Sequence, residues 1–179
     1  MVRTPYPTPG SARQNGYALL LAILGITILA IFLTMARAVW ETEVQRDREE
    51  ELLFRAHQYV TAIERYIRKH NNVPPDDLEI LLKEKMIRKL YPDPMTADGK
   101  WDVVLRERAG GSAKILLAPP EMIVKLKNRA YLAGVCSTSP ETGFREYRGK
   151  KKYNEWAIYV GENPKEEMPE IEYVGRADK

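Results

Sequence analysis

Only one cysteine, Cys136, stands among the 179 residues, so no disulfide can close within the chain, and beside Val135 it reads as a small buried residue. Histidine is nearly as scarce. His57 and His70 lie thirteen residues apart on one helical stretch, with no cysteine or carboxylate at metal-ligand spacing, which argues against zinc. A phosphate-binding glycine loop, a nucleophile elbow and a His-Glu-x-x-His pair are all missing. Asp93, Asp98 and Asp102 are close enough in sequence for a cation, but Asp-Pro and Asp-Gly turns account for two of them. The expectation is a non-enzymatic protein without a cofactor. Net charge is +3, too small for a general attraction to nucleic acid. The basic run Arg145, Arg148, Lys150, Lys151 and Lys152, interleaved with Phe144, Tyr147 and Tyr153, reads as a solvated hairpin around Gly149; a single-strand DNA contact is the alternative.

The most telling deficit is of charge. From Tyr17 to Ala36 there is none. Twenty residues at about 1.5 Å each give a helix of roughly 30 Å, the thickness of a bilayer's hydrocarbon core. The run is too long for the apolar core of an ordinary secretory signal, and the small residue, Gly16, precedes it instead of following. Arg3 and Arg13 lie before the span, and Arg37 after it is followed by Glu41 and Glu43. Basic residues favour the cytoplasmic side, so the expected arrangement is single-pass, with the N-terminus cytoplasmic and the rest outside.

Neither glycine nor proline interrupts the pattern from Arg37 to about His70, so one helix is expected to pass from lipid into water. Leu52, Leu53, Ala56, Tyr59, Val60, Ile63, Tyr66 and Ile67 gather on one broad face that calls for a sheet against it. The charges before it, from Arg46 to Glu51, read as a solvated helix face. Asn71-Asn72-Val73-Pro74-Pro75 stops the helix, and Asp76 or Asp77 is placed to cap a short Leu-rich helix to about Glu84. Strands are expected from Trp101, over Ala113 to Leu117, Tyr131 to Ser137 and Glu155 to Val160, with a short helix between Glu121 and Arg129. Residues 161–179, acidic and proline-containing, read as a loose tail. The fold class expected is α+β: a long N-terminal helix on a small antiparallel sheet, divided into a leader (1–16), a span (17–36), a head (37–160) and the tail.

A polar leader ending in Gly16, followed at once by an apolar helix, resembles the type IV pilin and type II secretion pseudopilin superfamily. The runs Arg48-Glu49-Glu50-Glu51-Leu52-Leu53-Phe54, Tyr91-Pro92-Asp93-Pro94-Met95-Thr96, Gly134-Val135-Cys136-Ser137 and Tyr153-Asn154-Glu155-Trp156 look like a subgroup of bacterial pseudopilins, over most of Gly16 to Val160. The resemblance implies cleavage by a prepilin peptidase after Gly16 and methylation of Tyr17. It also implies partners: other pseudopilins or pilins and an inner-membrane assembly platform, with the head periplasmic and the subunit entering a filament. Most members carry Glu as fifth mature residue, and this chain has Leu21 there, as that subgroup commonly lacks the Glu, which points to a tip or other minor position or to a different contact. The major pseudopilins' calcium loop has no equivalent acidic cluster here. A minor type IV pilin for adhesion or DNA uptake, and an uncleaved membrane-anchored periplasmic binding protein, are the alternatives.

Overall fold

The structure, a computed structural model, describes residues 12–108 and 114–175; side chains are described for 17–35, for 40 and from 42 onward within these ranges. Two units are distinguished, Met1–Val44 and Gln45–Lys179. Helix α1, Ala12–Lys69, contributes to both.

In the first unit, Tyr17–Met35 is helical with a mean hydropathy of 2.7 and none of it buried. Its hydroxyls are satisfied inside the helix: Thr27 donates to the Leu24 carbonyl at 2.8 Å and Thr34 to that of Ile31 at 2.7 Å. Such internal pairing suits apolar surroundings, where nothing else accepts a hydrogen bond. The segment is long and apolar enough to cross a membrane, as a single-pass anchor or a signal sequence would be.

The second unit is an α+β fold. After α1 come α2 (Leu78–Lys83), β1 (Trp101–Glu107), β2 (Ile115–Ala118), a 3-10 turn at Pro120–Met122 leading into α3 (Ile123–Leu126), β3 (Ala130–Ser137), β4 (Thr142–Tyr147), β5 (Lys150–Lys152), β6 (Ile158–Tyr159) and β7 (Ile171–Tyr173). Five strands form one sheet in the order β6-β3-β1-β2-β7, and β4 with β5 makes a separate hairpin. Alternation along β1 sorts its side chains. Trp101, Val103 and Leu105 join Leu52, Ala56, Tyr59, Val60 and Ile63 of α1 in the main core, while Val104 enters a smaller cluster with Ile115, Leu117, Ala133 and Met168. The stripe on α1 is therefore covered by the sheet, because its three- and four-residue spacing puts a continuous apolar face on one side.

Three expectations are corrected. The five-stranded sheet is mixed, not antiparallel: β7 runs parallel to β2, with Ile115 opposite Ile171 and Leu117 opposite Tyr173. The part of 161–179 that is described, through Gly175, is not loose. Its Met168 is buried in the second cluster and donates its N–H to the Arg148 carbonyl, so the returning chain is held where Ile171 meets Ile115. Composition misses this because one methionine and a three-residue strand are enough to anchor an otherwise polar segment. Finally, α1 begins at Ala12, ahead of Gly16, since Ala12-Arg13-Gln14 are good helix formers whose preference outweighs one glycine.

The local details follow the same logic. Asp77 occupies the N-cap of α2 without a side-chain capping bond, and Asp76 pairs with Lys127 instead. The strand expected over Glu155 to Val160 is a 3-10 turn at Tyr153–Glu155 followed by the two-residue β6, because the Trp156 indole turns inward to donate to the Lys150 carbonyl at 3.0 Å.

Candidate functional site

Gly16, Tyr17 and Leu21 all lie in α1. Tyr17 is 73% exposed and Leu21 61%, so neither is occupied by contacts within the chain. Leu21 brings an apolar side chain to the position where the resembled family has a carboxylate.

In the second unit, the stretch Tyr91-Pro92-Asp93-Pro94-Met95-Thr96 is a structural staple. The Tyr91 carbonyl accepts from the Tyr59 hydroxyl at 2.9 Å and from the Trp101 indole at 2.8 Å, and Arg55 donates to the Pro92 carbonyl at 2.8 Å. Asp93 is buried. Its oxygens accept from the Met95 N–H at 2.9 Å, the Ser137 hydroxyl at 2.7 Å and the Thr138 N–H at 3.3 Å, joining the loop to the end of β3. Burial pushes its carboxyl above the usual range, and these donors pull it back. Asp98 spends an oxygen on the Lys100 N–H at 3.3 Å. Among the described residues, no three His, Cys, Asp or Glu side chains are grouped to hold a metal ion. Asp93 and Asp98 thus act on the chain's own donors. Cys136 is buried.

The two histidines each face one acid. His57 Nε2 is 3.6 Å from Glu162, which holds the imidazole pKa above its ordinary value, and His70 Nε2 is 2.8 Å from Glu84. The basic run is divided by its contacts. Arg145 pairs with Glu50 at 2.9 Å, while Arg148, with its side chain only 3% exposed, reaches the Tyr159 hydroxyl at 3.1 Å and Glu162 at 3.8 Å. Lys151 and Lys152 remain exposed on β5.

Sequence reasoning missed Glu49. Read as part of a solvated charged face, it is in fact 0% exposed: one oxygen accepts from the Phe144 N–H and the Tyr153 hydroxyl, the other from the Arg145 N–H. Gln45 adds donors to the Thr142 carbonyl and the Tyr153 oxygen, and the Arg46 guanidinium lies 5.1 Å from the Phe144 ring. These contacts fasten the β4–β5 hairpin to α1. The signal was available: Glu49 precedes Leu52 by three and Ala56 by seven, which puts it on the buried stripe. Burial and the neighbouring carboxyl raise the Tyr153 pKa to about 12. Replacing Glu49 with alanine leaves three donors facing an empty site, and a loss of about 3 kcal/mol is expected by denaturant unfolding of the detergent-solubilised chain. Glu49→Gln, which keeps one acceptor oxygen, should cost less; equal stability of Glu49→Ala and the parent would show the hairpin is held elsewhere.

Two arginines near the end of the sheet also escaped notice. Arg106 and Arg108 line a cleft of 470 Å³ together with Ile67, Pro74 and Tyr131. Compared with protein-family models, with curated proteins and with solved structures, the chain matches none.

Proposed function

We propose that the chain is a pseudopilin subunit, minor in abundance, of a type II secretion or related type IV filament assembly, with a structural role in export and no catalytic one. The observation that carries this reading is the abutment of Gly16 on a charge-free, wholly exposed helical span whose helix runs on to Lys69 and there buries its apolar stripe under a small sheet. In this reading the span is stored in the inner membrane, the head lies in the periplasm, and an assembly platform extracts the subunit into a filament. Helix packing replaces lipid contact around the span. Lipid tails are as apolar as neighbouring helices, so close packing and directed extraction drive the exchange more than a bulk hydrophobic gain.

Leu21 supports a special position. A filament made only of this chain would bury every N-terminal ammonium without a nearby carboxylate, at a large desolvation cost. One observation favours an uncleaved membrane anchor instead: α1 already includes Gly16, so the backbone there is helical rather than extended for a peptidase.

Intact-mass and N-terminal peptide mass spectrometry of the protein from a peptidase-competent cell separates the two. The pseudopilin reading expects Tyr17 as the first residue, methylated, and retention of the leader in Gly16→Val. A native N-terminus at Met1 or Val2 overturns it in favour of the uncleaved anchor.

A further inference from the structure

The arginines of the second unit are, with few exceptions, matched to acids or fully exposed. Arg55 pairs with Glu51 at 2.7 Å, Arg129 with Glu107 at 2.8 Å, Arg145 with Glu50 at 2.9 Å, and Arg148 faces Glu162 at 3.8 Å. Arg106 departs from this. It is partly buried, yet its guanidinium has no carboxylate within ion-pair distance among the described residues, only the Tyr159 ring at 5.9 Å. Arg108, two residues on, donates to the Lys127 carbonyl at 3.2 Å and lies 5.9 Å from the Tyr131 ring. It too lacks an acid among the described residues.

Among the described residues no carboxylate pairs with either, although Arg106 also borders a second cleft that Glu166 and Glu167 line. Along β1 successive side chains alternate, so Glu107 points away from Arg106 and is engaged by Arg129, and Arg108, exposed just past the strand, lines the same cleft as Arg106. The sequence that follows, Ala109-Gly110-Gly111-Ser112-Ala113, brings no acidic side chain. Arg106 and Arg108 both line the 470 Å³ cleft, whose other walls include Tyr131, Ile67, Pro74 and Asn72, with no carboxylate among the described residues that line it. Asn72 is held there by a left-handed backbone, φ 66°, just past the end of α1, where its N–H donates to the Ile67 carbonyl at 2.9 Å.

We infer that this cleft is a docking site for an acidic segment of a partner polypeptide, taking a Glu or Asp side chain on Arg106 and Arg108 and an adjoining apolar side chain against Tyr131, Ile67 and Pro74. The chemistry selects a carboxylate. A partly buried guanidinium such as that of Arg106 gains from a planar anion that accepts two parallel N–H bonds. The apolar walls would add burial that a bare inorganic anion lacks. This site requires neither cleavage after Gly16 nor polymerisation, so its failure and that of the pseudopilin reading are separate results.

The test uses the full chain in uncharged detergent micelles and a fluorescein-labelled, end-blocked peptide Leu-Glu-Leu-Glu-Leu, read by fluorescence anisotropy. The expected result is saturable binding that weakens with salt, falls at least tenfold for Arg106→Gln, and falls for the exposed Arg108→Gln. Thermal unfolding of each variant monitors the fold; if Arg106→Gln is unstable, Arg108→Gln alone decides. Arg106→Lys should recover only part of the affinity, because a lysine ammonium cannot give the paired bonds. Equal binding of Leu-Gln-Leu-Gln-Leu overturns the inference, as does undiminished binding to Arg108→Gln. Binding of acetate or inorganic phosphate without the peptide also overturns it, leaving a simple anion site.

Discussion

Tyr59→Asp should unfold the second unit or bring it to the edge of unfolding. Tyr59 is 2% exposed, its hydroxyl donates to the Tyr91 carbonyl at 2.9 Å, and its ring meets Trp101 edge-on with centroids 6.0 Å apart. Burial drives the phenol pKa up to about 12, a sign of how poorly this location tolerates charge. The substitution removes an aromatic ring from the core, orphans one carbonyl contact and places a carboxyl among apolar neighbours, together costing about 5 kcal/mol. Stabilities of small domains lie at roughly 5–15 kcal/mol, so the loss is comparable with the whole. Tyr59→Phe keeps the ring and should lose only about 1 kcal/mol. The measurement is denaturant unfolding of the detergent-solubilised chain, followed by near-ultraviolet circular dichroism. An unchanged midpoint for Tyr59→Asp would mean the apolar stripe of α1 is exposed in solution and free for a partner.

Gly134→Ala should be nearly as damaging, for a reason no hydropathy scale contains. A methyl group at position 134 would lie 1.9 Å from the Ile158 carbonyl oxygen and 2.6 Å from the Tyr159 Cα, so it collides with backbone and cannot be relieved by rotating a side chain. Gly134 pairs with Tyr159 and its neighbour Val135 with Ile158, which are the only two residues of β6. Strand β6 must therefore move away from β3, disturbing Trp156 and Ala157 just before it, both buried. A cost of about 3 kcal/mol or more is expected, at the upper end for overpacking because the obstacle is main chain. Thermal unfolding and amide exchange at Val135 and Tyr159 check it; retained protection at those amides would show that the sheet edge accommodates the methyl group.

Much of the fold could be read from the chain. The charge-free run specifies a helix long and apolar enough to cross a membrane, and the spacing of Leu52, Ala56, Tyr59 and Ile63 specifies which side of α1 is buried. Asn71 and Asn72, both at positive φ, and Pro74 and Pro75 after them mark its end. Trp101–Glu107 and Ala130–Ser137 appear as the strands their alternation and β-branched content predict. Strand direction was less legible. Residues 171–173 contain too little pattern to announce a strand, still less that it would lie parallel to β2.

Local sequence by itself determined the periodic features: where a helix can run, which face is apolar and where proline stops it. Those depend on residues within a few turns of one another, where backbone geometry fixes the spacing. Only the tertiary structure decided that Glu49 of α1 serves Phe144, Arg145 and Tyr153, that Arg148 is buried against Glu162, and that Arg106 and Arg108 line one cleft. The partners of Glu49 lie 95 to 104 residues away. Whether a charge is solvated or enclosed depends on which distant backbone donors and side chains the sheet carries to it, and identical charges in a local pattern leave that undetermined.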